Sequence, residues 1–290
     1  MAENERYLEY EKDIRTRLHT KLLDFFDNTN PDLLTIIRDN SFSGKLLRAK
    51  LVVAMTKHLG HSNFIDTLTT TVELIHLASL IHDDIIDKSE IRRNKKSFWK
   101  ENSLQGAVLT GDLIICQVID HFHKLYPQHF TFLLIALKRL ANSEAEHELL
   151  YKNDAKQSKL IEIYTNKTGS LFSFIFEVIN NEYDLNIKNI SDVGNELGLI
   201  YQLADDYYDK YGIQKDKPVR VDDNKITLAD YYNSKEQLLL KINSKLENIY
   251  FNNPFTGEFK NNFRNYIIDD LTPALQKLTT NQILDEKYGK

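Results

Sequence analysis

No proline occurs between Pro127 and Pro218 of this 290-residue chain, which holds only 10 glycines and 5 prolines in all. Proline interrupts helix interiors, and glycine and proline together mark most of the turns that connect strands. Apolar residues within the interval recur at spacings of three and four, the period of a helix with one buried face. The sequence therefore predicts long helices and an all-α fold.

Amphipathic segments extend this prediction along the chain. Apolar residues at helical spacing indicate an opening helix at Tyr10, Ile14, Leu18, Leu22 and Phe25. Further helices are predicted over 44–59, 63–89, 104–125, 129–152, 157–181 and 190–211. Polar segments rich in Asn, Asp, Gly or Pro predict breaks near Asn30, Lys215 and Pro254. The 42% hydrophobic content suffices for one large core, so we expect a single domain over residues 1–290.

Composition excludes several classes of protein. A net charge of -5, without a basic run interleaved with aromatic residues, argues against nucleic-acid binding. The longest apolar stretch, near Phe130 to Leu137, is shorter than the ~20 residues of a membrane span, so we expect no transmembrane segment. The N-terminus has no apolar core typical of a secretory signal. A single cysteine, Cys116, cannot form an internal disulfide and suits a cytoplasmic protein.

Two copies of the pattern D-D-x-x-D stand out within apolar helical segments. The first is Asp83, Asp84 and Asp87, and the second is Asp205, Asp206 and Asp209. The first and last aspartates of each copy are four residues apart, so their carboxylates lie on one helix face. Such clusters repel themselves unless a cation is present. Carboxylate oxygens without nearby cysteine favour a hard cation, and Mg2+ commonly shares its ligand shell with substrate phosphates.

Basic residues near both motifs provide partners for such phosphates. Guanidinium groups bind phosphate oxygens in a fork, and ammonium groups act as point charges. The candidates are Lys45 and Arg48, Arg92 and Arg93, Lys167, and finally Lys217 and Lys225. Together with the aspartates they predict a site for metal-bridged polyanions.

These motifs, in this order, resemble those of the trans-isoprenyl diphosphate synthases, or polyprenyl synthetases. GKLLR is similar to the family's GKxxR, and ELIHLASLIHDDIID to its first aspartate-rich helix. IRRNKKS resembles RRGKPT, with Asn94 in place of glycine. AVLTGDLII, NKTGSLF and GLIYQLADDYYD resemble three further family motifs, whereas DKPVRVDDNKITL lacks the usual glycines. The likeness extends from about Gly44 to Tyr232.

The resemblance implies an isoprenoid synthase-type helical bundle around a central cavity, with the two aspartate motifs facing each other across its mouth. It implies a Mg2+-dependent prenyltransferase that condenses isopentenyl diphosphate head-to-tail with an allylic diphosphate, farnesyl or geranylgeranyl diphosphate. About two or three Mg2+ ions, shared with the substrate diphosphate, would act as Lewis acids. A homodimer is also implied.

Roles for individual residues follow from the same resemblance. The expected metal ligands are the six motif aspartates, Asp83, Asp84, Asp87, Asp205, Asp206 and Asp209. The leaving diphosphate would be bound by Arg92, Lys167 and Lys217, with Lys225 a further substrate ligand. Isopentenyl diphosphate would be held by Lys45, Arg48, His76 and Arg93. Thr168 and Gln202 would stabilise the carbocation, and the departing diphosphate would take the final proton.

Product length is predicted from the residues that precede Asp83. One helical turn advances 5.4 Å, roughly one isoprene unit, so a growing tail meets Ser79 and Ala78 first and then Ile75. Ala78 and Ser79 are small, so the tail should pass them. We expect a product longer than farnesyl diphosphate, a long polyprenyl chain such as a quinone tail, with geranylgeranyl diphosphate as the alternative.

Other functions stay open from the sequence. Two E-x-x-H pairs, Glu73/His76 and Glu144/His147, have the spacing found in helical di-iron carboxylate proteins, but that interpretation leaves both aspartate motifs unexplained. A non-catalytic or partner-dependent subunit of a heteromeric prenyl synthase would keep the fold. A terpene cyclase would share the ionisation step but has no use for a second diphosphate site.

Overall fold

The structure is a computed structural model that describes residues 2–211 and 226–275, with side chains from Tyr7 onward. It is almost wholly helical in these ranges, which confirms the all-α prediction. The contacts between Cα atoms divide the chain into two compact units, unit 1 from Met1 to Phe130 and unit 2 from Thr131 to Lys290.

Unit 1 is built around one long helix. Its helices are α1 (Ala2–Phe25), α2 (Pro31–Asn40), α3 (Leu47–Thr56), α4 (Asn63–Ile86), α5 (Phe98–Asn102) and α6 (Leu104–Leu125), and an antiparallel pair of short strands, β1 (Ile91–Arg92) and β2 (Lys95–Lys96), follows α4. Helix α4 packs against α1, α3, α5 and α6. Leu68, Val72 and Leu74 on α4 are fully buried, so this helix forms the centre of the unit 1 core.

Unit 2 is built around two packed helices. Its helices are α7 (Phe130–Glu146), α8 (Gln157–Lys167), α9 (Gly169–Glu182), α10 (Ser191–Tyr211), α11 (Lys235–Asn252), α12 (Gly257–Tyr266) and α13 (Thr272–Ala274). Helix α10 packs against α8, α9 and α11. Helix α9 is buried along most of its length because aromatic and aliphatic residues occupy all of its faces.

The predicted breaks near Asn30 and Pro254 are confirmed. Asn30 caps α2 by accepting hydrogen bonds from the amides of Asp32 and Leu33. Pro254 lies between the end of α11 and the start of α12. The predicted break near Lys215 lies outside the described residues.

The prediction of one helix over 157–181 is wrong, because α8 ends at Lys167 and α9 begins at Gly169. The reason is close packing: a Cβ atom at Gly198 of α10 would collide with the backbone of Thr168 and Gly169. The predicted helix 44–59 begins only at Leu47 and ends in a 3-10 turn, Lys57–Leu59. The predicted helix 129–152 ends in a π-helical turn, His147–Tyr151.

Helix α4 is long and apolar enough to cross a membrane by length and composition alone, a property that the sequence prediction did not register. Within its most apolar window, 72% of the residues are buried inside the structure. The core helix of a folded domain shows the same burial, so the length and composition of α4 are only weak evidence for a membrane span.

Candidate active site

The first D-D-x-x-D motif lies at the C-terminal end of α4. Asp83 is partly buried and Asp87 is exposed, whereas Asp84 between them is only 2% exposed. The C-terminal end of a helix carries partial negative charge, so it disfavours carboxylates unless a cation compensates them. The spacing and the exposure of Asp83 and Asp87 therefore suit a bound cation.

Asp84 is engaged differently, in an ion pair with Arg92 of β1. Nε of Arg92 lies 2.8 and 2.7 Å from the two carboxylate oxygens, and Nη2 lies 2.6 Å from Oδ1. Burial raises the pKa of Asp84, and the Arg92 guanidinium opposes this shift. Arg92 thus contacts both carboxylate oxygens of Asp84. Metal binding by Asp84 and diphosphate binding by Arg92 stay predictions.

The strand pair that carries Arg92 and Arg93 ends in a strained two-residue turn. Arg92 pairs with Lys95, and both residues between them, Arg93 and Asn94, have positive φ angles of 51° and 62°. Two-residue turns of this type require positive φ at both central positions, and asparagine tolerates it better than most residues. The turn thereby places Arg93 at the tip of the strand pair.

Arg93 reaches the segment 42–46 that precedes α3. Its Nη1 donates to Oγ of Ser43 over 3.0 Å, and its guanidinium lies so close to Gly44 that a Cβ atom there would collide with it. Lys45, which is exposed, and Arg48, in the first turn of α3, belong to the same stretch of chain. The structure thus brings together the residues predicted to hold isopentenyl diphosphate.

His76 of α4 lies within the electrostatic field of the same arginines. Its pKa is lowered well below the ordinary value, first by burial and then by the positive charges of Arg48, Arg93 and Arg92. Three guanidinium groups thus lie close enough to His76 to lower its pKa, which indicates a concentration of positive charge. Such a concentration suits a polyanionic ligand.

The second D-D-x-x-D motif, near the C-terminal end of α10, repeats the exposure pattern of the first. Asp205 and Asp209 are partly exposed, whereas Asp206 is fully buried. Oδ2 of Asp206 accepts from the backbone N–H of Leu228, 2.8 Å away, where a 3-10 turn begins. The predicted role of Asp206 as a metal ligand stays a prediction, since its oxygens already bind protein donors.

Thr168 and Gln202 form a hydrogen-bonded chain with Asp206. The Thr168 hydroxyl donates to Oε1 of Gln202 over 3.2 Å, and Nε2 of Gln202 donates to Oδ1 of Asp206 over 2.9 Å. These bonds orient the Gln202 amide, so that its carbonyl oxygen faces Thr168. The pairing of these two residues agrees with their shared predicted role.

The remaining predicted basic residues differ in their surroundings. Lys167, at the end of α8, forms a 2.6 Å ion pair with Glu144 of α7. Lys217 and Lys225 lie outside the described residues.

The residues predicted to govern product length lie along α4. Ala78 and Ile75 are buried at 0% and 1% exposure. Ser79 is partly exposed, and its hydroxyl donates to the carbonyl of His76 over 2.8 Å. Whether a tail runs past them stays a prediction.

The carboxylate pairs fit a hard cation that completes its shell from other sources. Within the described ranges, no group of three or more His, Cys, Asp or Glu side chains converges on one point. Mg2+ commonly takes one or two protein carboxylates and fills its other positions with water and substrate phosphate oxygens. The pairs Asp83/Asp87 and Asp205/Asp209 provide that number of ligands.

Two residues of unit 1 that sequence reasoning did not place in the site contact its basic segment. Glu73 accepts from the backbone N–H of Ala49 over 3.0 Å, and Arg15 of α1 donates to the carbonyls of Phe42 and Gly44. Glu73 was noticed only as part of an E-x-x-H pair. Arg15 has no local signal, because its partners are 27 and 29 residues away.

The family model described as polyprenyl synthetase matches residues 30–249 of the chain. An octaprenyl diphosphate synthase from Haemophilus influenzae is 31% identical over 174 residues, which cover 57% of this chain and 52% of that protein. A chloroplastic solanesyl diphosphate synthase from Arabidopsis thaliana is 28% identical over 218 residues, 68% of this chain and 52% of that protein. The chain thus spans about half the length of the curated relatives it matches.

Solved structures with the same fold cover nearly the whole chain. A geranyltranstransferase from Thermotoga maritima superposes with a TM-score of 0.75 at 21% identity, over 96% of this chain and 99% of the other. A heptaprenyl diphosphate synthase from Staphylococcus aureus has a TM-score of 0.75 at 17% identity, over 93% and 99%. At these identities the likeness establishes the fold.

Proposed function

Because the chain belongs to the polyprenyl synthetase family, we propose that it is a prenyltransferase that condenses isopentenyl diphosphate head-to-tail with an allylic diphosphate, farnesyl or geranylgeranyl diphosphate. The observation that carries this proposal is the position of two arginines in unit 1: Arg93 contacts Ser43 and Gly44, next to Lys45, and Arg92 forms an ion pair with Asp84 of the first aspartate motif. This much positive charge matches a diphosphate.

The basic residues of unit 1 bind and orient the substrate that supplies the new double bond. Lys45, Arg48 and Arg93 hold the diphosphate of isopentenyl diphosphate, and His76 contributes a neutral hydrogen-bonding ring. Fixing this substrate contributes through positioning, since the reacting carbon atoms must lie near van der Waals contact before a bond forms.

The allylic diphosphate is bound through the aspartate motifs. Asp83 of α4 and Asp87, which follows the last residue of α4, would hold Mg2+, as would Asp205 and Asp209 of α10. When bound, Mg2+ would neutralise charge on the leaving diphosphate. Arg92 beside the first motif, and Lys167 at the end of α8, each provide positive charge that suits diphosphate oxygens. Asp84 and Asp206 support the motifs, the first by holding Arg92 and the second by orienting Gln202.

The reaction breaks the bond between the allylic carbon and the diphosphate oxygen. The electron pair of the isopentenyl double bond forms the new carbon–carbon bond, and the proton that is lost goes to the departing diphosphate. Thr168 and the Gln202 carbonyl oxygen stabilise the positive charge on carbon. No side-chain base is needed, because the leaving diphosphate takes that role.

We further propose that the chain acts as one catalytic domain in a cytoplasmic homodimer. The family match over residues 30–249 crosses the boundary after Phe130, which supports one functional domain. Sedimentation analysis at working concentration should give the mass of a dimer, and a monomeric mass would contradict this assembly.

The test is incubation of the purified protein with isopentenyl diphosphate, farnesyl diphosphate and Mg2+, followed by measurement of product mass. We expect a series of prenyl diphosphates, each longer than the last by one isoprene unit. Consumption of farnesyl diphosphate alone, with a hydrocarbon product, would indicate a terpene cyclase. No turnover without an added second protein would indicate a partner-dependent subunit.

A further inference from the structure

Helix α3, which carries Arg48, begins without a local cap. The residue before it, Leu46, has a positive φ of 54° and forms no side-chain hydrogen bond to the first turn. The first amides of a helix need acceptors from elsewhere. Glu73 provides one, since its Oε1 accepts from the N–H of Ala49, the third residue of α3.

Glu73 is a buried carboxylate in the middle of α4, with 5% of its surface exposed. Burial raises its pKa, and the positive charges of Arg48, Arg93 and Arg15 oppose that rise. The hydrogen bond to Ala49 places the Glu73 carboxyl group beside Arg48, which the proposed function assigns to isopentenyl diphosphate. A buried polar group that bonds a distant backbone amide restricts both segments.

Arg15 of α1 holds the segment that precedes α3. Its guanidinium donates to the carbonyls of Phe42 and Gly44, the second bond being 2.7 Å long. Phe42 and Leu46 both have positive φ angles, 56° and 54°, which non-glycine residues adopt only where surrounding contacts impose it. Arg15 and Glu73 provide such contacts on the two sides of Lys45.

We propose that Glu73 and Arg15 are positioning residues for isopentenyl diphosphate: they fix the segment from Phe42 to Ala49 so that Lys45 and Arg48 meet the diphosphate. This inference rests on the proposed function and extends it to two residues that do not themselves contact substrate.

The test compares Glu73→Ala and Arg15→Ala with Glu73→Gln and with a control. Glu73→Gln keeps an oxygen that accepts from Ala49, whereas Glu73→Ala removes it. Thr67→Val is the control, because Thr67 is also buried in α4 and loses a hydrogen bond, to the carbonyl of Asn63, that does not reach α3.

We expect Glu73→Ala and Arg15→Ala to raise KM for isopentenyl diphosphate about tenfold, or ~1.4 kcal/mol, and to change kcat and the allylic KM less than about twofold. Glu73→Gln and Thr67→Val should behave like the wild type. Amide hydrogen exchange at Ala49 should be slow in the wild type and in Glu73→Gln, and faster in Glu73→Ala.

The Arg15 side chain is 31% exposed, so we expect Arg15→Ala to fold. This variant tests the inference if Glu73→Ala does not fold. Equal changes in both KM values, or no change in either variant, would overturn the inference while leaving the proposed function in place. A wild-type protein that binds no isopentenyl diphosphate in calorimetry would overturn the proposed function as well.

Discussion

Asp83 and Asp205 are the residues on which the proposed ionisation step depends most. We expect Asp83→Ala or Asp205→Ala to reduce condensation by at least about 10³-fold, because several kcal/mol of charge stabilisation on the leaving group would be lost. The fold should persist, since each change removes a carboxylate from an acidic cluster. Steady-state kinetics and thermal unfolding measure the two effects.

Asp112→Ala is a matched control for these variants. Asp112 is an exposed aspartate of α6, in the same helical unit as Asp83. It should retain full activity. Near-wild-type turnover in either Asp83→Ala or Asp205→Ala would contradict the assignment of the motifs to metal binding.

Arg93 is expected to distinguish the two substrates. Arg93→Ala should raise KM for isopentenyl diphosphate by about 10- to 100-fold, the loss of one charge-assisted contact of ~1.5–3 kcal/mol, with a smaller effect on the allylic KM. Lys96→Ala, an exposed cation of the same strand pair, is the control for lost surface charge. Equal effects of Arg93→Ala on both KM values would contradict the assignment of Arg93 to isopentenyl diphosphate and of Arg92 to the allylic diphosphate.

His76 gives a prediction about pH. Its pKa is lowered in the folded protein from the ordinary value of 6.5, by burial and by three arginines. Below pH 6.5 the unfolded chain therefore binds more protons than the folded protein, so this group makes stability fall as the pH falls. His76→Gln should weaken the decrease in Tm between about pH 6.5 and pH 5.

The measurement is thermal unfolding of the wild type and of His76→Gln across that pH range. His58→Gln is the control for the loss of one histidine, because His58 is exposed. Parallel wild-type and His76→Gln profiles would show that the charge state of His76 is not linked to folding.

At the level of single residues, the sequence predicts which side chains could bind a metal or a diphosphate, but it does not predict which side chains contact each other. The exposure of Asp83, Asp87, Asp205 and Asp209 agrees with the four-residue spacing that placed them on one face. The ion pair of Asp84 with Arg92 was not foreseeable, because it depends on a strand pair whose turn is formed by two residues of positive φ.

The strand pair itself gives a prediction at the level of the secondary-structure element. Asn94→Val should destabilise the turn by about 1–2 kcal/mol, because a β-branched residue resists positive φ, and it should weaken binding of isopentenyl diphosphate by displacing Arg93. Asn94→Gly should retain both stability and binding. Thermal unfolding and the KM for isopentenyl diphosphate are the two readouts.

Lys96→Val introduces the same side chain at an extended position of β2 and is the matched control. If Asn94→Val binds isopentenyl diphosphate as well as Asn94→Gly does, the turn does not position Arg93.

Hydrophobic periodicity identified α4, α6 and α10 because each helix has a continuous apolar face. It missed the helix boundaries that depend on tertiary contacts. The division between α8 and α9 depends on Gly198, about thirty residues away along the chain, whose missing Cβ lets α10 approach Thr168. The local signal for that division is short, since Asn166 and Gly169 favour turns but apolar residues at helical spacing continue on both sides of them. The start of α3 at Leu47 is likewise surrounded by tertiary contacts, from Glu73 to Ala49 and from Arg15 to Phe42 and Gly44, which periodicity does not detect.

At the scale of the whole molecule, the order of motifs identified the family, and the match over residues 30–249 confirms it. Motif order does not determine product length, because every member needs the same diphosphate and metal ligands. We expect product length to depend instead on the bulk of the side chains along the path of the growing tail. The proposed path follows α4 from Asp83 toward Asn63, twenty residues or about 30 Å, which is room for several isoprene units.

Ala78 and Ser79 are the first residues on that path, and their small side chains lead us to expect a wild-type product longer than farnesyl diphosphate. Ala78→Phe should shorten the product and spare the first condensation, since a phenyl ring one turn from Asp83 blocks later additions. Because Ala78 is fully buried, the ring also risks overpacking at a cost of about 1–3 kcal/mol. Ser79→Phe, at a partly exposed position, provides an independent variant.

Product mass and Tm, measured together, separate the two effects of these variants. Leu80→Phe is the control, because it places the same ring on the next residue of α4, turned by about 100° from Ser79. Shortened products from Ala78→Phe and Ser79→Phe, with unchanged products from Leu80→Phe, would place the tail on the proposed face of α4. If the wild type stops at farnesyl diphosphate, or if neither Phe variant changes the product distribution, the tail follows another path.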